Sequence, residues 1–436
     1  MDWRGRDWSD PSWRLEVPRI PSNGVDLDHS VAALIDEVRT GGAEALRRQA
    51  ERFDGVRPES LRVAAETIET AKKQLEQPLR QAIEMSIARV REATTLQVPP
   101  RQSRELSPGA QISQRFVPVD RAGVYVPGGK AVYPSSVVMN VVAAQVAGVS
   151  SIALSSPPQH QWGGSVHPTI LATAALLGVD EVYAIGGAGA IAAMAYGVPG
   201  IGLEPVAVIT GPGNQYVAAA KRLVKGLVGI DSEAGPTEIV VIADSGAPDD
   251  FIAADLVSQA EHDELAQAIL ITDDLGLAER VINRVASRTA QTAHRARVEA
   301  ALGGAQSAVI VVDSIDQAVT VSDELAPEHL EIMTEHAERV AESIRHAGAI
   351  FVGPFTPVSA GDYLAGSNHV LPTGGAAKFQ SGLSAMTFLR PQQIVQYDRE
   401  GLDAIRGPLD VFARAEDLPA HAEAVHARWL ETEKEG

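Results

Sequence analysis

Ser136-Val-Val-Met-Asn-Val-Val-Ala-Ala-Gln-Val-Ala147, continuing through Gly148-Val-Ser150 into Ser151-Ile-Ala-Leu-Ser155, is the passage whose reading decides the fold. It lies inside Val132–Gln159, which holds no charged residue and is long enough to cross a bilayer. Pro and Gly break it, however, and several Ser, Asn and Gln interrupt its apolar character. We read it as helix Ser136–Ala147 followed by strand Ser151–Ser155, since a buried parallel strand and the helix face covering it look like this. Val182–Leu203, also uncharged, reads the same way.

From Pro134 to Asp244 short β-branched runs (Ser151–Ser155, Glu181–Ile185, Val206–Thr210, Ile239–Ala243) alternate with Ala-rich helical stretches, the mark of βαβ units. A second series follows. Ala268–Thr272, Ala308–Val312 and Ala349–Val352 read as strands, separated by helices around Ala278–Ala301, Asp316–Glu324 and Glu335–Arg345. The expected class is α/β, with two Rossmann-like parallel-sheet domains in succession. Helix Asp250–His262 before strand Ala268–Thr272 repeats the pattern of the opening passage, which hints at an internal duplication.

The flanks differ in character. Ser30–Gln97 carries helical periodicity through Leu34, Val38, Leu46, Ile68, Leu75, Leu79, Ile83 and Ile87. Arg115–Val126 alternates loosely, ends in the turn Pro127-Gly-Gly129, and reads as strands entering the first sheet. After His369 a Gly-rich stretch leads to a strand at Gln393–Tyr397 and, from Glu400, a charged helical tail too poor in apolar residues to bury itself. Such a tail docks on something, and a second copy of the chain is the expected dock. The resulting divisions are a helical region over 1–110, sheet domains over 111–237 and 238–380, and the tail over 381–436.

The chain has 436 residues, a formal net charge of −19 and no cysteine. No long Lys/Arg run supplies a basic face for nucleic acid. Without cysteine, a metal must be held by His, carboxylate or amide groups. Trp3, Arg4, Arg6 and Trp8 begin a terminus with no apolar signal region, so a cytoplasmic setting without a membrane anchor is expected.

Asp255-Leu-Val-Ser-Gln-Ala-Glu-His-Asp263 places Gln259 and His262 three apart, on one face at a helix end, where both can serve a metal. Glu328 and His329 sit in Ala326-Pro-Glu-His-Leu-Glu331. Pro327 is suited to begin a short helix, so both side chains are expected in its first turn, where either they face one cavity as an acid/base pair or Glu328 merely complements the helix dipole. Asp362 and His369 belong to a loop whose Gly361 and Gly366 give it backbone freedom, and His421 lies in the tail. Gly187-Ala-Gly-Ala-Ile-Ala192 follows a strand and fits a dinucleotide turn, though packing alone also explains it. Gly211-Pro-Gly-Asn214 either cradles phosphate or is a tight turn with Asn214 as N-cap.

The chain resembles the histidinol dehydrogenase family. Arg121–Lys130, Tyr133–Ser136, Gly211–Val217, Ala234–Glu238, Ser258–Asp263, Ala326–Glu331, Gly361–Thr373 and Glu416–His421 carry the likeness. The resemblance implies NAD and one zinc ion per subunit, held by Gln259, His262, Asp362 and His421, the last from the partner subunit of a homodimer with shared sites. It implies that L-histidinol is the substrate, that His329 is the base for the hydroxyl proton, and that Glu328 activates water for the second oxidation. By the same resemblance Thr237, His369 and Glu416 contact substrate, and Tyr125 and Asn214 contact NAD. The chain departs from the family pattern at Gly189, where a Gln is usual, at Thr237, where Ser is usual, and at Ser232, where an apolar residue is common. A dehydrogenase of another polar alcohol and a zinc hydrolase are the alternative readings.

Overall fold

The computed structural model describes residues 1–20, 24–128, 131–233 and 235–429. Gly129, Lys130 and Ala234 of the quoted motifs, and 430–436 of the tail, lie outside the described residues. Contacts divide the chain into a larger unit, 1–97 with 119–388, and a smaller one, 98–118 with 389–436.

Ten strands of the larger unit form two five-stranded parallel sheets. The first holds β1 (Arg121–Tyr125), β2 (Ser151–Ser156), β3 (Val182–Ala184), β4 (Val208–Thr210) and β5 (Gly229–Ile230). The second holds β6 (Glu238–Ala243), β7 (Gln267–Thr272), β8 (Ala308–Val311), β9 (His329–Met333) and β10 (Ala349–Val352). Their orders are β3-β2-β1-β4-β5 and β8-β7-β6-β9-β10. Numbered from its own first strand, each sheet therefore has the same order, and helices Pro134–Ala147 and Asp249–Ala260 occupy the same place in the two series. This shared topology agrees with the duplicated α/β reading.

The local reasons are visible in the burial. β6 and β7 are buried along their whole length, as strands covered on both faces must be. Val240, Ile242, Ile269, Ile271, Leu330 and Ile332 fill the core on one face of the second sheet. Ile239, Val241, Leu270 and Met333 fill the other, together with Ile252, Leu256, Phe351 and Val358. Helix Pro134–Ala147 is buried on nearly every side and stops at Gly148, which takes the left-handed conformation with φ 89°. Helices Gly24–Phe53, Ala65–Gln74 and Gln77–Thr95 form the N-terminal helical region. Ahead of them Trp3, Trp8 and Trp13 pack edge to face and join the second sheet's core.

Three local readings differ from the structure. Ala110–Pro118 does not enter a parallel sheet; it pairs antiparallel with Gln102–Ser107 and Leu389–Tyr397 in the smaller unit, and only Arg121–Tyr125 joins the first sheet. The helix expected over Ala278–Ala301 is two, Leu275–Thr289 and Arg295–Gly303. Ala326 takes left-handed φ/ψ of 50° and 60° and ends the preceding helix, after which His329 opens β9, so no helix begins at Pro327. Among the described residues, no helix is long and apolar enough to cross a membrane.

Candidate active site

The site is built at the amino ends of β6 and β9, adjacent parallel strands that pair His329 with Ile239. Since Glu328 stands just before β9 and His329 is its first residue, a regular strand would send them to opposite sides. Both instead reach the start of β6. Glu328 Oε2 accepts from Thr237 Oγ1 at 2.5 Å and from the Glu238 backbone N–H at 2.9 Å. His329 Nδ1 lies 3.0 Å from the Glu238 carbonyl oxygen. The two side chains are therefore neighbours, with Glu328 Oε2 3.5 Å from His329 Nδ1, but on a strand start and not in the expected helical turn.

The carbonyl fixes the tautomer of His329. It can only accept, so Nδ1 carries the hydrogen and Nε2 is left as a lone pair. Nε2 is buried and has no partner among the described residues. Burial lowers the pKa of His329, against the opposing effect of Asp362, and so keeps the ring neutral. Burial also drives Glu328 up to about 8, although its bonds from Thr237 and Glu238 favour the charged form. Their close approach is thus a contact between neutral groups near pH 7.

Glu238 is the neighbour that sequence reading passed over. It is 4% exposed, accepts from the Gly374 and Glu328 backbone N–H groups, and is raised to about 8, first by burial and also by Glu328. A carboxylate heading the β-branched run Ile239–Ala243 is the signal that marks it.

Gln259 lies in the last turn of helix Asp249–Ala260, and His262 follows in the turn beyond. Gln259 Nε2 donates to Thr237 Oγ1 at 2.5 Å. Because that hydroxyl's own hydrogen goes to Glu328, its oxygen can only accept; the Gln259 nitrogen must face it, and Oε1 is left for another partner. His262 keeps solvent-accessible surface, yet the protein mass around it lowers its pKa while Asp362 opposes the shift. Asp362 lies in helix Val358–Tyr363. Its charge acts on His262, Glu328, His329 and His369, which places all five groups in one neighbourhood. Gly361 beside it serves space and not φ: a Cβ there would meet Phe351 at 2.6 Å.

His369 Nδ1 lies 3.0 Å from the Asp362 carbonyl oxygen, and its Nε2 lies 3.1 Å from Ser136 Oγ, at the start of helix Pro134–Ala147. Burial lowers its pKa as well. The loop that follows is tied down by Thr373, whose Oγ1 accepts from the Gly235 N–H at 2.6 Å.

Tyr125 and Asn214 lie elsewhere in the larger unit, at the carboxyl ends of β1 and β4, where the strand order of the first sheet reverses. In open α/β sheets such a crevice is where ligands bind. A Cβ on Gly211 would fall 1.9 Å from the Tyr125 carbonyl oxygen, and its φ of 120° also demands glycine. Buried Lys221 and Asp231 hold the turn by bonding the Gly211 carbonyl and N–H. Asn214 is the N-cap of helix Gln215–Val224, accepting from Tyr216 and Val217. Gly187–Ala192 opens helix Gly187–Tyr196, and packing contacts meet two of its residues. Tyr125 Oη accepts from the Gly187 N–H, and a Cβ on Gly189 would meet Gln49 Oε1 at 2.5 Å. Glu416 and His421 belong to the smaller unit, at the C-cap of helix Arg399–Ala415 and within helix Pro419–His426.

Can these groups hold zinc? Among the described residues, no three His, Asp or Glu side chains gather as a metal cage. The larger unit brings a neutral imidazole, a carboxylate and an oriented amide oxygen to one neighbourhood, which is a fitting set that lacks one donor of the usual four.

A family model described as histidinol dehydrogenase matches residues 19–429. The histidinol dehydrogenase of Leifsonia xyli subsp. xyli is 59% identical over 432 residues, 99% of each chain. That of Corynebacterium glutamicum is 52% identical over 428 residues, 98% of this chain and 97% of the relative. The crystal structure of the Elizabethkingia anophelis histidinol dehydrogenase superposes with a TM-score of 0.93 at 34% identity, covering 99% of this chain and 98% of the other.

Proposed function

The chain belongs to the histidinol dehydrogenase family, NAD-dependent oxidoreductases of histidine biosynthesis, and on that premise we propose how its residues divide the oxidation of L-histidinol through L-histidinal to L-histidine. One observation carries the reading: a neutral, buried His329 whose Nε2 has no partner among the described residues. A lone pair kept out of water beside a carboxyl is what proton removal from an alcohol requires.

In this reading His329 Nε2 takes the hydroxyl proton of histidinol, and the Glu238 carbonyl holds the ring in the needed tautomer. Glu328 serves the second oxidation by taking a proton from the water that adds at the aldehyde carbon. Thr237 and the Glu238 N–H keep its Oε2 fixed for that role. His369, held between Ser136 and the Asp362 carbonyl, lines the substrate side, and Glu416 contacts substrate from the tail. NAD, accepting the hydride at each oxidation, is assigned to the crevice at Tyr125 and Asn214. Zinc would be held by Gln259, His262, Asp362 and His421, and would supply positive charge to orient the substrate's nitrogen atoms.

The missing fourth donor supports a homodimer in which His421 of the partner subunit completes the set. So does the tail, which leaves Val411 69% and Phe412 72% exposed, apolar surface suited to a second copy. A cytoplasmic enzyme fits this chemistry. The test is the NADH absorbance band: histidinol plus NAD should yield two NADH per histidinol, a strong chelator should abolish the signal, and zinc should restore it. A zinc-loaded protein that forms no NADH from histidinol would overturn the proposal.

A further inference from the structure

A second carboxyl pair lies behind the site. Glu331 is two residues beyond His329 on β9 and so shares its face; it is 1% exposed. Its Oε1 accepts at 2.9 Å from the N–H of Val358, the first residue of the short helix that carries Asp362. Among the described residues no N–H or O–H donor reaches its Oε2. What faces Glu331 is the carboxyl of Asp255, in side-chain hydrogen-bond contact with it. Asp255 sits one helical turn before Gln259 on helix Asp249–Ala260 and hence on the same side.

The surroundings are apolar: Leu256, Met333, Phe351 and Val358 pack here. Arg288 also acts on Asp255, but its guanidinium is bonded to Asp250 at 2.6 and 3.1 Å. Two carboxyls with no other donor between them can touch only if one proton is shared. Burial raises the pKa of both, and the charge of Asp255 raises Glu331 further, as a retained proton requires.

We propose that the Asp255–Glu331 pair is a positioning brace that fixes the spacing between three elements: the strand carrying His329, the helix carrying Gln259, and the helix carrying Asp362. Glu331 touches all three through its own backbone, Asp255 and Val358. Neither carboxyl meets substrate. The pair sets where Gln259 and Asp362 stand relative to the base, and the inference rests on the reading that those two residues hold the zinc.

The test measures zinc retention by atomic absorption across a chelator series, with the melting temperature alongside, on the full chain. Glu331→Leu fills the space but breaks both contacts; residues that support metal ligands cost about 10–100-fold in metal affinity when removed. Its melting temperature should fall, because the Asp255 carboxyl and the Val358 N–H each lose their partner, so zinc retention is compared well below that transition. Glu331→Gln can donate to Asp255 and accept from Val358 with no shared proton, so it should hold zinc within about threefold of wild type. Wild-type retention in Glu331→Leu, or equal losses in both variants, would overturn the brace. Should Glu331→Leu fail to fold, Asp255→Leu breaks the pair from the helix side and must give the same loss. His262→Asn separates the two ideas: if it keeps full zinc, the ligand assignment is wrong; if it loses zinc while Glu331→Leu does not, only the brace is.

Discussion

Thr237→Val removes one hydroxyl and keeps the side chain's shape. That hydroxyl accepts from Gln259 Nε2 and donates to Glu328 Oε2, both at 2.5 Å. A hydrogen bond to a charged group contributes about 1.5–3 kcal/mol and a neutral one about 1 kcal/mol. Gln259 and Glu328 are 3% and 7% exposed, so water does not readily replace either bond. If the full loss of about 2.5–4 kcal/mol falls on the transition state, kcat/KM drops about 10²–10³-fold. The pH profile should move too. Thr237 favours the charged form of Glu328, so removing it raises that pKa above its present value of about 8 and shifts the rising limb of aldehyde oxidation to higher pH. Thr237→Ser keeps the hydroxyl and should stay within about threefold of wild type. Initial rates of NADH formation from pH 6 to 10, with zinc saturating, decide the matter. A valine variant within threefold of wild type, or a serine variant as damaged as valine, would refute the relay from Gln259 through Thr237 to Glu328.

Glu328→Gln should spare oxidation of the alcohol more than oxidation of the aldehyde, since the alcohol proton goes to His329; equal losses with histidinol and histidinal would contradict that division. Glu238 and Glu328 stay protonated up to about 8 in the fold, whereas unfolded glutamates ionise near 4.3. The folded state therefore binds more protons across that window, and stability is lost as pH rises towards 8, by up to about 1.4 kcal/mol per pH unit for each proton. His262, His329 and His369 are shifted downward and work the other way below about 6.5. The zinc-free melting temperature should accordingly fall between pH 6.5 and 8.5, and a rise would count against these buried acids. Finally, His421→Ala and His262→Ala chains, each inactive alone, should regain about one quarter of wild-type activity when refolded together. About half the dimers would be mixed and about half of their sites intact. No recovery in demonstrably mixed dimers would rule out the crossed tail.

Most strands were legible because β-branched runs such as Ile239–Ala243 and Ala268–Thr272 have no other good use in a chain of this kind. β9 was not, since Ala326-Pro327 resembles a helix start and Glu328, His329 and Glu331 dilute the apolar pattern. The left-handed turn at Ala326 that decides it leaves no mark in composition. Two-residue β5 is too short for any period to show. The smaller unit joins 98–118 to 389–436, and a local pattern cannot announce a partner so distant in sequence. At the site the same limit applies. Gln259 and His262 were readable from helical spacing, but Glu238 gains meaning only when β6 and β9 lie side by side, and Asp255 only when a helix brings it to Glu331.

The tryptophan cluster carries a consequence for the order of events during synthesis. The Trp3 N–H bonds to the Val311 carbonyl at 2.8 Å, and Trp3 and Trp13 are 5% and 3% exposed only because the second sheet covers them. At roughly 5–20 residues per second, these indoles leave the ribosome some tens of seconds before their dock exists. Throughout that interval they are adhesive surface with nowhere to go, and their docking is one of the last steps of maturation.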